Sequence, residues 1–292
     1  MSDTANPQIN QRPEIYNEVL GDVSDVKHSP QSYLQRVYAV SGIRKFMILL
    51  LLGLAWEIYA RVLDNALVFP TLSATLAALF ASVTSGELPG AALTTISLLL
   101  KGYALGITIA ALLTTFASVT RIGADLLQTL TAMFNPLPSI AMLPVAMVWF
   151  GLGNASIIFV LVHAVLWAVA LNTFSGFRSV SPTLRLVGQN YGLGGIQYIL
   201  RILIPAAFAS ILTGLKVGWA FAWRTLIAAE LIFGVSSGSG GLGWFIFEKK
   251  NELLIPDVFA GLLTVILLGL LIENLVFRSI EDRTVRRWGM QQ

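Results

Sequence analysis

The sequence contains no cysteine and only two histidines, His28 and His163, in 292 residues. Those absences exclude a disulfide framework, a thiolate nucleophile and a Cys- or His-rich metal centre. Charge is scarce too. Asp, Glu, Lys and Arg make up 12% of the chain, against about 25% in ordinary soluble domains. Hydrophobic residues reach 55%, and the mean hydropathy is +0.74. Too little polar surface remains to cover a globule, so a soluble enzyme is excluded and an all-α integral membrane protein is expected. The net charge of +3 is too small to imply a nucleic-acid partner. No Gly-Lys dipeptide occurs, so there is no P-loop and no expectation that the chain hydrolyses ATP itself.

What is present is apolar length. A bilayer core takes about 20 apolar residues per helix. Six stretches qualify: Phe46–Leu63, Leu93–Val119, Leu126–Phe150, Ile157–Phe177, Ile202–Phe233 and Val258–Phe277. Thr71–Ser85, after Pro70, is too short to cross and reads as a helix at the outer interface. With the N-terminus inside, thirteen of the 19 Lys and Arg residues fall on the inner side. Arg61, Lys249 and Lys250 fall outside, and Lys101, Lys216 and Arg224 within spans. This bias obeys the positive-inside rule. The expected organisation is a polar cytoplasmic tail (1–44), a transmembrane domain (45–278) and a second cytoplasmic tail (279–292). The first tail, with Glu14, Glu18, Asp22 and Asp25, lacks the marks of a signal peptide.

Gly238-Ser-Gly240-Gly241-Leu-Gly243 formally matches the dinucleotide pattern GxGxxG. That pattern needs a strand before it and a helix after it. Here it follows a membrane helix on the outer side, where a flexible hairpin is the better reading. Leu126–Phe150 carries Pro136, Pro138 and Pro144, each removing a backbone donor. In lipid the freed carbonyls need protein or water, so this segment is expected to face inward, either as a packing kink or as the lining of a path. Between the fourth and fifth spans, Arg178–Arg201 holds three arginines and no acid. Ser181 can cap a helix, Pro182 suits its first position and Gly192 can close it. A second short helix from Gly195 into Pro205 would complete a basic helical hairpin, which either docks a partner or rests on anionic headgroups.

Charges inside spans are functional candidates by default. Measured from Pro205 at about 1.5 Å per residue, Lys216 would stand roughly 16 Å up the fifth helix, near mid-membrane. Trp219, Trp223 and Glu230 share its face, with Arg224 just beside them. A stripe of cation and indole suits a small anion with an apolar body. The alternative is structural: Lys216 pairing or snorkelling, and Glu230 bonding between helices. Lys101 either lines the same path or snorkels. His163 and Asn172 read as interhelical hydrogen-bond partners, and Glu57 with Arg61 as a local ion pair.

At the hairpin the sequence becomes recognisable. Gly192, nine residues, then Ile202-Leu203-Ile204-Pro205 resembles the coupling motif of ABC importer permeases, although Val187-Gly188-Gln189 replaces its leading Glu-Ala-Ala. Further segments agree in order: Phe69-Pro70-Thr71, Asn135-Pro136-Leu137-Pro138, Trp149-Phe150-Gly151-Leu152-Gly153, Ala222-Trp223-Arg224 through Ala229-Glu230, and Arg286-Arg287-Trp288-Gly289. Together, over roughly residues 45–290, they resemble the nitrate/sulfonate/taurine group of binding-protein-dependent permeases.

The resemblance implies a MetI-like permease bundle of six transmembrane helices in a bacterial inner membrane, two copies pairing. Two cytoplasmic ABC ATPase subunits, which would hold ATP and Mg, are implied to dock on the hairpin, and a periplasmic binding protein to deliver a small anion. Arg185, Gly188, Gly192, Ile202 and Pro205 are the implied coupling residues, and this chain itself carries no cofactor or metal. An ion-gradient-driven secondary transporter would favour inverted repeats, of which the sequence has no trace. A membrane scaffold would leave the charges within the spans without a role.

Overall fold

The computed structural model describes residues 40–233 and 240–285. Among them every regular element is helical. In chain order they are α1 (Ser41–Leu63), α2 (Leu72–Thr84), α3 (Glu87–Val119), α4 (Arg121–Phe134) and α5 (Leu143–Phe150), preceded by a 3-10 turn at Ser139–Met142. Then come α6 (Asn154–Ser179), α7 (Pro182–Asn190), α8 (Gly195–Tyr198), a π turn at Ile199–Leu203, α9 (Ile204–Ala206) and α10 (Phe208–Phe233). The chain continues with α11 (Leu242–Asn251), α12 (Ile255–Ile272), a π turn at Glu273–Phe277 and α13 (Arg278–Arg283). The acidic tail and the closing Arg286–Gly289 motif lie outside the described residues.

Four helical stretches are long and apolar enough to cross a membrane: α1, α3, α6 and Ile255–Arg283. Two further spans are bent pairs, which corrects the straight helices expected there. Leu126–Phe150 turns by 90° between Phe134 and Ser139. Its cause is proline spacing: neither Pro136 nor Pro138 can donate, so α4 ends at Asn135, whose N–H reaches Thr131. Pro144 sits in the first turn of α5, where a missing donor costs nothing. The fifth span likewise turns by 80°, between Ala206 and Phe208. Ile202 and Pro205 therefore belong to the arm before the span. The π turn ahead of Pro205 widens the backbone where a proline ring would clash with the preceding turn.

α6 is the centre of the bundle, with over half of its apolar window buried, Val160, Leu161, Val165 and Ala170 completely so. Glycines on both neighbours allow it to be approached closely. Gly102 and Gly106 of α3 are four apart, and a Cβ added to them would stand 2.6 Å from Leu161 and 2.7 Å from Val165. On α10, Gly214 and Gly218 repeat the spacing, and their added Cβ atoms would stand 2.8 Å from Asn172 and 3.1 Å from Val169. In lipid, apolar surface gains nothing by leaving apolar solvent, so helices associate through such close contact. Tyr103 adds a hydrogen bond from α3 to the Leu215 carbonyl of α10 at 2.8 Å.

At the end of α10 opposite the hairpin, polar side chains organise the short elements. Trp56 donates to the Pro70 carbonyl at 2.9 Å. Glu57 pairs with Arg61 at 2.7 Å, as the sequence predicts, and also accepts from the Ser73 N–H and hydroxyl. Thr71 caps α2 by accepting from the Ala74 N–H. Lys249 of α11 bonds Glu87 of α3 at 2.9 Å, and that carboxylate holds the ammonium above the ordinary lysine range.

Gly106→Val overpacks the contact with Val165 and is expected to cost about 1–3 kcal/mol, read as a lower unfolding midpoint in detergent. An added Cβ at Gly90 meets nothing within 4 Å, so Gly90→Val serves as the comparison. Equal midpoints would show that α3 and α6 are not held at this separation.

Candidate coupling and translocation sites

The hairpin closes with a complete Schellman motif. Gly192 has φ of +67°; its N–H donates to Gln189 and that of Leu193 to Gly188. Ser181 accepts from the Leu184 N–H and Pro182 occupies the first turn. Gly188, standing where the family motif has a bulkier residue, is buried against the second arm. A Cβ there would come within 2.9 Å of Tyr198 and 3.2 Å of Ile202. Arg185 has a role that sequence did not reveal. Its guanidinium donates to the carbonyls of Val180 at 3.1 Å and Phe177 at 2.5 Å, satisfying orphan groups at the end of α6. Hairpin and α6 are thus tied together. The face left outward carries Leu184, Leu186, Val187, Tyr191, Ile196 and Leu200, with Tyr191 81% exposed.

The stripe on α10 is not one open surface. Helical spacing does put its members along one side, but the structure buries most of them. Because α10 starts at Phe208, Lys216 stands about 12 Å from the bend, closer to the hairpin end than the sequence suggests. There it forms an ion pair with Glu281 of α13. Trp219 is 7% exposed, its ring edge-on to Tyr103 at 5.2 Å and to Phe277 at 6.0 Å. Trp223 is half-buried, with its indole nitrogen beside Gly269. Arg224 alone is exposed, bonded to the Ala220 carbonyl and 5.5 Å from the centre of the Phe221 ring.

Glu230 is 3% exposed and acts as a staple. Its carboxylate accepts from the Thr95 hydroxyl and the Gly243 N–H, both at 2.9 Å, while Thr95 accepts from the Leu242 N–H. The acid thus sits at the N-terminus of α11, where the helix dipole favours it. Gly241 and Gly243 leave room for it, since an added Cβ at either would overlap its side chain. These glycines, the second half of the formal GxGxxG match, cradle a carboxylate and not a phosphate. Gly238 lies outside the described residues.

The proline break between α4 and α5 opens a cavity of about 190 Å³. Asn135, Ser139, His163, Trp167, Phe221 and Thr225 line it, among others. Ser139 and His163 Nδ1 are 3.2 Å apart, the interhelical pairing expected for this histidine. Phe134 stacks on Trp167 with centroids 5.6 Å apart and planes 8° from parallel. Asn172, by contrast, bonds only within α6, to the Ala168 carbonyl. Among the described residues, no group of His, Asp and Glu could hold a metal ion.

Residues 102–288 match the family described as the inner membrane component of binding-protein-dependent transport systems. The chain belongs to this family. It is an ABC-importer permease of the nitrate/sulfonate/taurine group, a transport subunit and not an enzyme. The permease is similar to a protein of Methanocaldococcus jannaschii named as an ABC transporter permease, 29% identical over 78% of this chain and 85% of that one. It is also similar to the taurine transport system permease protein TauC of Escherichia coli, 33% identical over 54% of this chain and 56% of that one. The nitrate import permease protein NrtB of Synechocystis is 32% identical over 52% and 54%.

Glu230→Ala would leave the Gly243 N–H unsatisfied at a cost of about 1–3 kcal/mol. The expected result is a lower unfolding midpoint and faster proteolysis just ahead of α11. Glu230→Gln keeps an acceptor and should lose less. Equal loss in the two variants would show that the charge, not the acceptor, holds the staple.

Proposed function

We propose that this permease imports a small oxyanion of the sulfonate, taurine or nitrate type by alternating access. A periplasmic binding protein delivers the solute, two copies of the chain form the path, and two cytoplasmic ATPase subunits bind ATP and Mg. Both termini are cytoplasmic. The taurine and nitrate transport functions named for its relatives support the solute class. The carrying observation is the hairpin: a stiff, capped element with an apolar, arginine-flanked outer face. A loop resting on headgroups needs basic residues but not a rigid apolar ridge, whereas a partner's groove uses both.

Force applied there has two outlets. Arg185 passes it to the end of α6, and Gly188, wedged against Tyr198 and Ile202, passes it along the second arm to the bend before α10. The coupling set is therefore Arg185, Gly188, Gly192, Ile202 and Pro205. On the path itself we place Arg224 and Trp223. Trp219 and Glu230 support it from within the bundle, and the pair Lys216–Glu281 ties α10 to α13 near the hairpin end.

At Gly192 a β-branched residue would be strained by about 1–2 kcal/mol, too little to unfold the bundle but enough to tilt α7. Gly192→Val is expected to insert normally yet lose substrate-stimulated ATP hydrolysis and uptake together. Full coupling in this variant would remove the hairpin's role. Arg201→Glu is the cleaner charge test, since Arg185 also caps α6. It should weaken co-purification of the ATPase, more so at low salt.

Topology and energy source are checked separately. A reporter after Gln189 should read as cytoplasmic and one after Ser85 as periplasmic, the reverse overturning the orientation. Uptake into proteoliposomes should follow ATP; dependence on an ion gradient would make the chain a secondary transporter.

A further inference from the structure

The cavity at the proline break is not explained by packing. Among the described residues, three buried side-chain polar atoms have no hydrogen-bond partner: Thr131 Oγ1, His163 Nε2 and Trp167 Nε1. All three belong to this one place. His163 and Trp167 line the cavity, and Thr131 is one helical turn before Asn135. Trp167 is more than nine-tenths buried, and its indole N–H can only donate. Leaving such groups unpaired is costly, so their clustering marks a place built for something that accepts hydrogen bonds.

We infer that this cavity is a transient subsite for a short-chain organosulfonate on its way through the permease. The inference rests on the importer reading above and narrows its solute class. The polar groups at hand, on Asn135, Ser139, Trp167 and Thr225, are neutral, and no carboxylate lines the space. An oxyanion therefore meets donors without repulsion, and without a lining cation to trap it. Passage needs just that balance, binding strong enough to enter and weak enough to leave. The Arg224 guanidinium stands over Phe221, a wall residue, and supplies positive charge beside the site.

Size and wall chemistry narrow the class. A cavity of about 190 Å³ equals roughly six water volumes at ~30 Å³ each, room for a solute of about that many heavy atoms. Trp167 and Phe221 offer apolar surface that an inorganic ion cannot use, but a one- or two-carbon body can. A short sulfonate satisfies donors and wall together. Nitrate satisfies the donors alone.

The absence of native cysteine makes the site directly testable. Thr225→Cys and Ser139→Cys would be introduced singly in the complete transporter complex in nanodiscs. Each would be labelled with the anionic reagent 2-sulfonatoethyl methanethiosulfonate, with Ser85→Cys as the exposed control. Labelling at one or both cavity positions should be slowed by methanesulfonate at concentrations at least fivefold lower than by nitrate, and unaffected by chloride. Adding Trp167→Phe, which keeps the ring and removes the N–H, should weaken that protection at least threefold; an unchanged value removes the indole from the site. The control should label at one rate throughout. Absence of labelling at both positions, or labelling with no anion protection, overturns the subsite, and equal or better protection by nitrate overturns the sulfonate assignment. Binding-protein-dependent, ATP-driven uptake of radiolabelled taurine, methanesulfonate and nitrate is measured on the same complex. ATP-driven uptake without protection sinks only this inference, whereas protection without ATP-driven uptake sinks the importer reading.

Discussion

The close approach of α3 and α10 to α6 is the constraint on which the rest depends. Neither neighbour could come this near without Gly102, Gly106, Gly214 and Gly218, whose missing side chains are replaced by Leu161, Val165, Val169 and Asn172 of α6. In a bilayer this matters more than burial of apolar area, because lipid tails solvate leucine as well as protein does. Once α6 is gripped on two sides, α4 and α5 can break beside it without exposing free carbonyls to lipid. The cavity is a consequence of that arrangement.

Most of the fold was legible because membrane insertion writes itself into composition and run length. The hairpin was legible for a different reason. Ser181, Pro182 and Gly192 are local signals, and local hydrogen bonding decides whether they are obeyed. The two bends were only half legible. Pro136, Pro138 and Pro205 announce a break, but its size depends on what the freed groups find next to them, which sequence does not contain. Gly188 looked like a departure from the coupling motif. Its reason is tertiary: the second arm lies where a side chain would be.

The stripe on α10 shows where periodicity stops. A 3.6-residue repeat states which residues share a face, but an apolar helix gives little sign of which face is turned inward. Trp219 and Glu230 share a side with Lys216 and are nonetheless buried against α3, Phe277 and the start of α11. Charges in the spans were correctly taken as too costly to be idle. Their partners were the missing knowledge. Arg185 satisfies carbonyls, Glu57 helps start α2, Glu230 holds the approach to α11, and Lys216 joins α10 to α13. The single strongly exposed cation of the α10 group, Arg224, is also the one beside the cavity.

These placements restrict how the permease can alternate. Arg185 grips the end of α6 at Phe177, and Trp167 lies ten residues earlier on the same helix, about 15 Å away along its axis. A helix clamped by glycine contacts on two sides moves as a rigid body, since sliding it would drive Leu161 or Val165 into the backbone of α3. Flexure must then fall at the two proline-marked bends. One of these forms the cavity wall and the other joins the hairpin arm to α10. A push on the hairpin reaches the cavity through α6 and α10 together, closing or opening the space between His163, Trp167, Phe221 and Thr225 while the glycine contacts stay intact. Coupling of this kind needs no contiguous chain of polar contacts, only one stiff element shared by the lever and the site.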